Sequence, residues 1–235
     1  MTNLPSSFYR VAGIASILSV VTTLMLIFLP SYFAPVPDGL PGRIARVEDP
    51  AYQFRAWAYL IHPFLAFTAA LGVGLAMRRV SPALALAGVL GFFLWAITEA
   101  GQQSLTLFAF DDWRRGWLAG DPVIRQTIEL RAAIYDGLWE AAYSLLLFGI
   151  ILGSGFFAAI LLRMPDTLSR VVGGFFALAA IQSILLQSGE LGGPVFPESL
   201  AFWIYPATQP LARLLIGLWL LRVARQGEPR LEGAA

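Results

Sequence analysis

The sequence predicts an all-α fold, a bundle of six transmembrane helices with both termini on the cytoplasmic side. Of the 235 residues, 57% are hydrophobic and only 13% are charged, whereas soluble domains carry about 25% charged residues. Six long apolar segments recur along the chain, and a helix needs about 20 residues to cross a bilayer. A soluble core of this size could not bury so much apolar surface, so the expected solvent is lipid.

The helix boundaries follow from apolar length and from the prolines and polar stretches between segments. Pro30 ends the first segment, Pro82 precedes the third, and the stretches 31–55 and 111–122 are expected to be loops. Only the second part of the fourth segment is cleanly apolar, so its first turns are expected to project beyond the hydrocarbon. The whole chain, 1–235, is predicted to be a single membrane domain with helices at about 11–29, 56–77, 83–110, 124–162, 171–187 and 200–221.

Arginine placement indicates the orientation. The connections after the second and fourth helices are short and basic, with Arg78 and Arg79 in one and Arg163 and Arg170 in the other. The loops on the opposite side are longer and mix arginine with Asp and Glu. Short basic connections are typical of the cytoplasmic side. We therefore predict a multi-pass protein of the cell's inner (plasma) membrane, with both termini in the cytoplasm.

The amino-acid composition also limits the kinds of binding partner that are expected. The formal net charge is +1 with no basic stripe, so no nucleic-acid partner is expected. The chain has no cysteine and one histidine, His62, which rules out cysteine-ligated and multi-histidine metal sites. No metal and no cofactor are predicted, and membrane lipids are the expected partners.

The third helix carries an unusual polar face. Glu99, Gln102, Gln103 and Thr106 lie at i, i+3, i+4 and i+7, which places them on one side of a helix. An ionisable group inside a membrane helix costs roughly 2.5–3.5 kcal/mol on insertion scales. Glu99 is either a protonated carboxyl bonded to a neighbouring amide or a functional group, and the sequence leaves both alternatives open.

The fourth helix carries a second stripe, formed by Glu129, Asp136, Glu140 and Tyr143. One interpretation is an amphipathic extension whose charges stand in water. If Leu162 marks the inner edge of the bilayer, Glu140 falls close to the outer interface, with Asp136 above it. Glu140 is therefore the stronger candidate for a functional carboxylate.

The sixth helix places Tyr205, Gln209 and Arg213 at i, i+4 and i+8. Arg213 lies near mid-depth, about 13 Å by helix rise from Arg222, and a buried arginine requires a carboxylate partner. Glu99 is at the nearest depth, so we predict an ion pair between Glu99 and Arg213. It would be either a structural salt bridge or an anchor for a substrate.

Polar residues from different helices converge on one depth. His62 lies about two turns into the second helix, where it is either a hydrogen-bonded packing residue or a proton-transfer group. Polar residues that only stabilise separate helices have no reason to lie at the same depth in the bilayer. A polar pocket facing the outer leaflet would bring them to one depth. The residues at this level are His62, Glu99, Gln103, Glu140, Gln187, Tyr205 and Gln209. As site residues we predict Glu140 and Glu99 for catalysis and His62, Gln103, Asp136, Tyr143, Tyr205, Gln209 and Arg213 for binding.

Two stretches carry resemblances. The opening YRVAGIASILSVVTTLMLIFL and the run RMPDTLSRVVGGFFALAAI resemble bacterial multi-pass membrane proteins grouped as a domain of unknown function. The stretch Asp136-Gly-Leu-Trp139-Glu140-Ala-Ala-Tyr143-Ser144 is similar to the Asp/Asn-x-x-Trp-Glu-x-x-Tyr-Ser stretch of integral-membrane terpene cyclases. That resemblance implies that Glu140 protonates an isoprenoid, although here the stretch lies in the fourth of six predicted helices.

Three functions remain open at this point. The pocket could bind a lipid or isoprenoid and transform it by acid–base chemistry, with Glu99 ionised beside Arg213 and Glu140 as proton donor. The same carboxylates could serve a proton-linked transporter, although no repeated pair of broken helices indicates one. The charges could also stabilise a non-catalytic membrane subunit. The sequence leaves open whether the protein is an enzyme.

Overall fold

The structure is a computed structural model that describes residues 5–193 and 198–229, except for the side chains of 198–203 and 205. Within these residues every regular element is helical and no strand occurs, so the predicted all-α class is confirmed. Six helices have 23 residues or more, and two short helices join them at one end. The α-helices are α1 Ser6–Phe28, α2 Leu40–Ala45, α3 Pro50–Met77, α4 Pro82–Leu105, α5 Asp111–Ala119, α6 Pro122–Leu161, α7 Thr167–Glu190 and α8 Glu198–Gln226.

Five of the described helical stretches are long and apolar enough to cross a membrane, those that begin with α1, α3, α4, α6 and α7. Their outward faces expose large apolar side chains, for example Leu90, Phe93 and Ile97 on α4. Such faces are stable against lipid and would be unfavourable in water. The chain is a multi-pass membrane protein.

Two predicted loops contain helix instead. The predicted second helix begins at Pro50 rather than at residue 56, because Asp49 caps it by accepting from the N–H groups of Ala51 and Tyr52 and proline is favoured in a first turn. The predicted loop 111–122 is mostly the helix α5. A π-helical turn, Thr106–Phe110, joins α5 to α4 without a break, and Asp111 and Arg114 form an i,i+3 salt bridge at 2.9 Å within it.

The long helices form a ring in which α1 lies between α8 and α3, α4 between α3 and α6, and α7 packs on α6. Glycines permit the closest approaches. A Cβ at Gly149 would lie 2.9 Å from the carbonyl oxygen of Gly91, and a Cβ at Gly13 would lie 3.1 Å from that of Gly217. Small residues are common at such membrane interfaces because they let helix backbones approach.

Both described ends of the chain lie at one end of the bundle, which we call the terminal end. The Tyr9 hydroxyl donates to the Glu228 carboxylate at 2.8 Å, and Arg78 and Arg79 contact the same carboxylate at 2.9 and 3.0 Å. The C-terminal segment is thereby tied to α1 and to the α3–α4 turn.

A second set of contacts joins α7 to α8 at the terminal end. Trp219 Nε1 donates to the Ser169 hydroxyl at 2.8 Å, and Arg222 pairs with Asp166 at 2.7 Å. Burial alone would raise the pKa of the Asp166 carboxyl, but hydrogen bonds from Ser169 and the charge of Arg222 hold it below its ordinary value. The N-terminus of α7 is therefore fixed electrostatically.

The opposite end, which we call the loop end, carries α2 and α5. Asp111 is fully buried there and accepts from the Gln53 side chain at 2.9 Å as well as from Arg114. Asp49 accepts the backbone N–H of Ala34 at 2.8 Å and so ties the α1–α2 connection to the start of α3. These bonds give the loop end a fixed structure.

Candidate functional site

A cavity of about 910 Å³ occupies the half of the bundle nearest the loop end. All six long helices contribute to its wall, together with Arg43 of α2 and Arg114 of α5. On α4 the deepest lining residue is Phe92, ten residues after Pro82 and so about 15 Å along the axis from the terminal end. The cavity thus begins near mid-membrane and extends to the loop end.

The floor of the cavity is apolar. Phe92 and Phe176 line it, and their rings meet edge to face with centroids 5.8 Å apart. Ile150, Ile216 and Ser154 also line this part of the wall, where Ser154 is the polar residue. Below them the bundle is a dry core of side chains such as Val73, Phe157, Leu161 and Leu220, each 0% exposed.

Charged and ionisable side chains form a polar level above the floor. Glu99 and His62 are buried and line the cavity, as does Arg213. Arg213 lies within electrostatic range of both, and its guanidinium carbon is 5.5 Å from the ring centroid of Trp95. Trp95 also forms a side-chain hydrogen bond with Glu99. The structure brings these groups together as predicted, while a direct ion pair between Glu99 and Arg213 stays a prediction.

The amide and hydroxyl groups of α4 continue this polar level. Gln103 is buried and lines the cavity. Gln102 lines it too and donates to the carbonyl oxygen of Trp139 at 3.0 Å, so that this side chain also joins α4 to α6. Thr106 and Tyr135 share a hydrogen bond at 2.7 Å. Thr106 opens the π-helical turn, and such turns are frequent at functional sites.

Arginines line the cavity at its loop-end margin, which we call the mouth. Arg43 forms a two-pronged pair with Asp136, at 2.6 and 3.0 Å. Arg114 donates to the Tyr52 hydroxyl at 2.6 Å, and Arg55 donates to the carbonyl oxygen of Leu26 at 3.1 Å. The cavity wall thus has a cationic rim, a polar middle and an apolar floor.

Most of the predicted site residues lie in this wall: His62, Glu99, Gln103, Asp136, Tyr143, Gln209 and Arg213. The structure brings these side chains to the wall of one cavity, and their position at a single depth stays a prediction. Tyr205 lies in α8, but its side chain falls outside the described residues. The catalytic and binding roles assigned to these residues stay predictions.

Glu140 requires a correction. It is exposed and is not part of the cavity wall, whereas Asp136, one turn earlier, and Tyr143 both are. At about 100° per residue, Glu140 points roughly 40° away from Asp136 and 60° away from Tyr143, which carries it beyond the edge of the lining face. The predicted pairing of Glu99 and Glu140 in one chamber is wrong. Gln187 is buried but likewise does not line the cavity.

Sequence reasoning missed the arginine rim. Arg43 and Arg114 lie in segments that were expected to be loops, so their helical positions over the cavity were not foreseen. The signal available was the amphipathic spacing of α5, in which Asp111 and Arg114 share a face one turn apart. If residues 111–119 had been predicted as a short helix, Arg114 would have been expected at the membrane surface.

Metal ligation finds no support in the part of the chain that the structure describes, where no group of three His, Asp or Glu side chains is placed to hold an ion. Comparison of the chain with protein-family models, with curated proteins and with solved structures finds no match.

Proposed function

We propose that this protein binds one lipid-like or isoprenoid molecule in the cavity. In this proposal the chain crosses the inner (plasma) membrane six times, with α8 as the sixth span. Both termini are cytoplasmic, and the cavity lies in the outer-leaflet half. The two short basic connections, which contain Arg78 and Arg163, are at the terminal end, as the rule that positive charge stays inside requires.

The cavity itself is the observation that carries the proposal. Its volume of about 910 Å³ falls at the upper end of the roughly 300–1,000 Å³ range of small-molecule sites. Its floor of phenylalanine and aliphatic side chains suits a hydrocarbon chain, and its upper wall supplies hydrogen-bonding groups. A molecule that is apolar at one end and polar at the other matches this division.

The geometry gives less support to a chemical reaction on the bound molecule than it gives to binding. Glu99 and His62 line the cavity and are groups of the kind that move protons in acid–base catalysis. Glu140, the residue to which the terpene-cyclase resemblance gives the acid role, is exposed outside the wall. The proposal is therefore one of binding, with Glu99 as the residue to test first for chemistry.

Transport is the main alternative. A solute path would need polar groups through the terminal half of the bundle, where the described core is apolar and closely packed around Phe157 and Leu220. Proton or solute flux into liposomes that Glu99→Gln abolishes would favour a transporter. A non-catalytic subunit would show neither flux nor a bound molecule.

The proposal can be tested by filling the cavity. Ala179 lines it on α7, so Ala179→Phe places a ring inside the space that the ligand would occupy. Ala141, exposed on α6, offers the matched control, Ala141→Phe. Each protein is purified in a non-ionic detergent, and its extractable lipids are identified and counted by mass spectrometry.

We expect the unaltered protein and Ala141→Phe to retain about one equivalent of one amphiphile, and Ala179→Phe to lose it while remaining folded. Equal lipid content in all three proteins, with no enriched species, would show that the cavity holds no specific ligand.

A further inference from the structure

The charge of the cavity wall is unbalanced. Among the described residues, four arginines and two carboxylates line it, and the buried Asp111 behind the wall pairs with Arg114 at 2.9 Å, so the formal excess is one positive charge. Desolvated charges without counter-charges are costly in a membrane protein. The four arginines are Arg43, Arg55, Arg114 and Arg213, and the two carboxylates are Glu99 and Asp136.

The excess lies at the mouth, at Arg55. Arg43 is satisfied by its two-pronged pair with Asp136, and Arg213 lies deeper, near Glu99. Arg114 is paired with the buried Asp111 at 2.9 Å, so Arg55 remains as the arginine of the wall for which the described residues supply no carboxylate partner. Both lie close to the Tyr52 hydroxyl, Arg114 by a hydrogen bond and Arg55 by an electrostatic interaction.

Arg114 has an unfilled hydrogen-bonding position. The residue is 6% exposed, and its Nε–H has no acceptor among the described residues. Its Nη1 already donates to Asp111 and Tyr52, and its guanidinium carbon lies 4.2 Å from the ring centroid of Phe110. The Nε atom is enclosed by the protein, so Arg114 would act on a ligand through its charge and the rest of its guanidinium.

Arg55 offers a second donor group at the same level. Its Nε is used by the carbonyl oxygen of Leu26, and its guanidinium carbon lies 4.9 Å from the ring centroid of Tyr59. The fixed fork of a guanidinium matches the oxygens of a phosphate or carboxylate. The ring contact and the Leu26 bond orient this fork before any ligand arrives.

We propose that the ligand is an anionic amphiphile whose phosphate or carboxylate binds to Arg55 and Arg114 at the mouth and whose apolar chain extends to Phe92 and Phe176. This inference rests on the proposed function and adds the class of headgroup. The distance along α4 and the π-helical turn, from Phe110 at the mouth to Phe92 at the floor, is about 27 Å by helix rise and accommodates an extended chain of lipid length.

The test uses three probes on the full-length protein in maltoside detergent: hexadecyl phosphate, hexadecanol and inorganic phosphate. Their dissociation constants are measured for the unaltered protein and for Arg114→Gln, Arg55→Gln and Arg115→Gln. Arg115 is exposed on the same helix as Arg114 and does not line the cavity, so it is the matched control. Circular dichroism and gel filtration check folding, and Arg114→Lys is added as a variant that keeps the charge but removes the guanidinium.

We expect hexadecyl phosphate to bind about tenfold or more tightly than hexadecanol, as a charged hydrogen bond would provide. Arg114→Gln and Arg55→Gln should each remove most of that preference, and Arg115→Gln should leave it unchanged. If Arg114→Gln does not fold, Arg55→Gln and Arg114→Lys decide the question by the same criterion.

Other results overturn the inference in distinguishable ways. Equal affinity for both amphiphiles, unaffected by either arginine, rejects the anionic headgroup and leaves the binding proposal standing. Absence of binding by both amphiphiles rejects the binding proposal itself. Inorganic phosphate that binds as tightly as hexadecyl phosphate shows a site for a free anion and rejects the amphiphile.

Discussion

His62 Nδ1 lies 2.8 Å from the Thr22 hydroxyl, so α1 fixes the imidazole that lines the cavity on α3. The same hydroxyl donates to the carbonyl oxygen of Ser19 at 3.1 Å. A hydroxyl has only one proton to donate. With the Thr22 proton used for Ser19, His62 supplies the proton of its bond to Thr22, and we infer that Nε2 is left as an acceptor. The histidine is both a packing residue and a potential base.

The first prediction concerns this tautomer. Since the chain has one histidine, its two ring nitrogens give unambiguous ¹⁵N signals, and we expect a neutral ring protonated at Nδ1. Thr22→Val should shift the population toward the Nε2-protonated form because the acceptor is lost. Thr68 lies on the same helix as His62, and within the described residues its hydroxyl bonds only to the Phe64 carbonyl. Thr68→Val should therefore leave the tautomer population unchanged. A doubly protonated ring or an Nε2-protonated ring in the unaltered protein would contradict this interpretation.

The second prediction concerns helix contact. A Cβ at Gly91 would lie 2.3 Å from the backbone nitrogen of Gly153 on α6, and backbone cannot yield as a side chain can. Gly91→Ala should therefore lower the free energy of unfolding by roughly 1–3 kcal/mol, measured by unfolding in mixed detergent micelles.

Gly101 on the same helix provides the control, because a Cβ there meets nothing within 4 Å. Gly101→Ala should raise stability by up to about 1 kcal/mol through helix propensity. If both substitutions stabilise the protein equally, the α4–α6 contact is looser than described.

The third prediction concerns pH. Asp166 caps α7 by accepting the Ser169 N–H at 3.0 Å, and its pKa is lowered in the folded state. A lowered pKa means that the ionised form stabilises the fold. This contribution is complete above the unfolded pKa of about 3.9 and is lost as the pH falls through the lower folded value.

Asp166→Ala should therefore cost about 1 kcal/mol near neutral pH, and the difference from the unaltered protein should shrink as the pH falls below about 4. Asp38→Ala, at an exposed position, serves as the control and should show no such trend. A constant difference for Asp166→Ala across the whole pH range would mean that the carboxylate charge contributes nothing.

The sequence contained the information for the long helices because apolar length and proline placement mark them. The predicted fourth helix, 124–162, differs from α6 by two residues at its start and one at its end. A shared depth was also predicted from the sequence, because residues at equal rise from a helix end are expected at equal levels. This is why Glu99, His62 and Gln209 were placed together before their contacts were known.

Helix rotation and the loop end could not be read in the same way. One turn separates Asp136, in the wall, from Glu140, outside it, and a polar stripe does not reveal which of its edges faces inward. The arginine rim depends on tertiary contacts such as Asp111 with Gln53, 58 positions apart in the chain. The segments 31–55 and 111–122 were predicted to be solvated loops because they are rich in charged residues.

The most direct test of the central claim is an experimental density map of the protein in a lipid nanodisc, calculated without any ligand. We predict one continuous elongated feature in the cavity, running from the rings of Phe92 and Phe176, past Glu99 and His62, toward Arg114. A cavity filled only by separate water peaks, or collapsed so that Phe176 meets Glu99, would contradict the claim that this chamber binds an amphiphile.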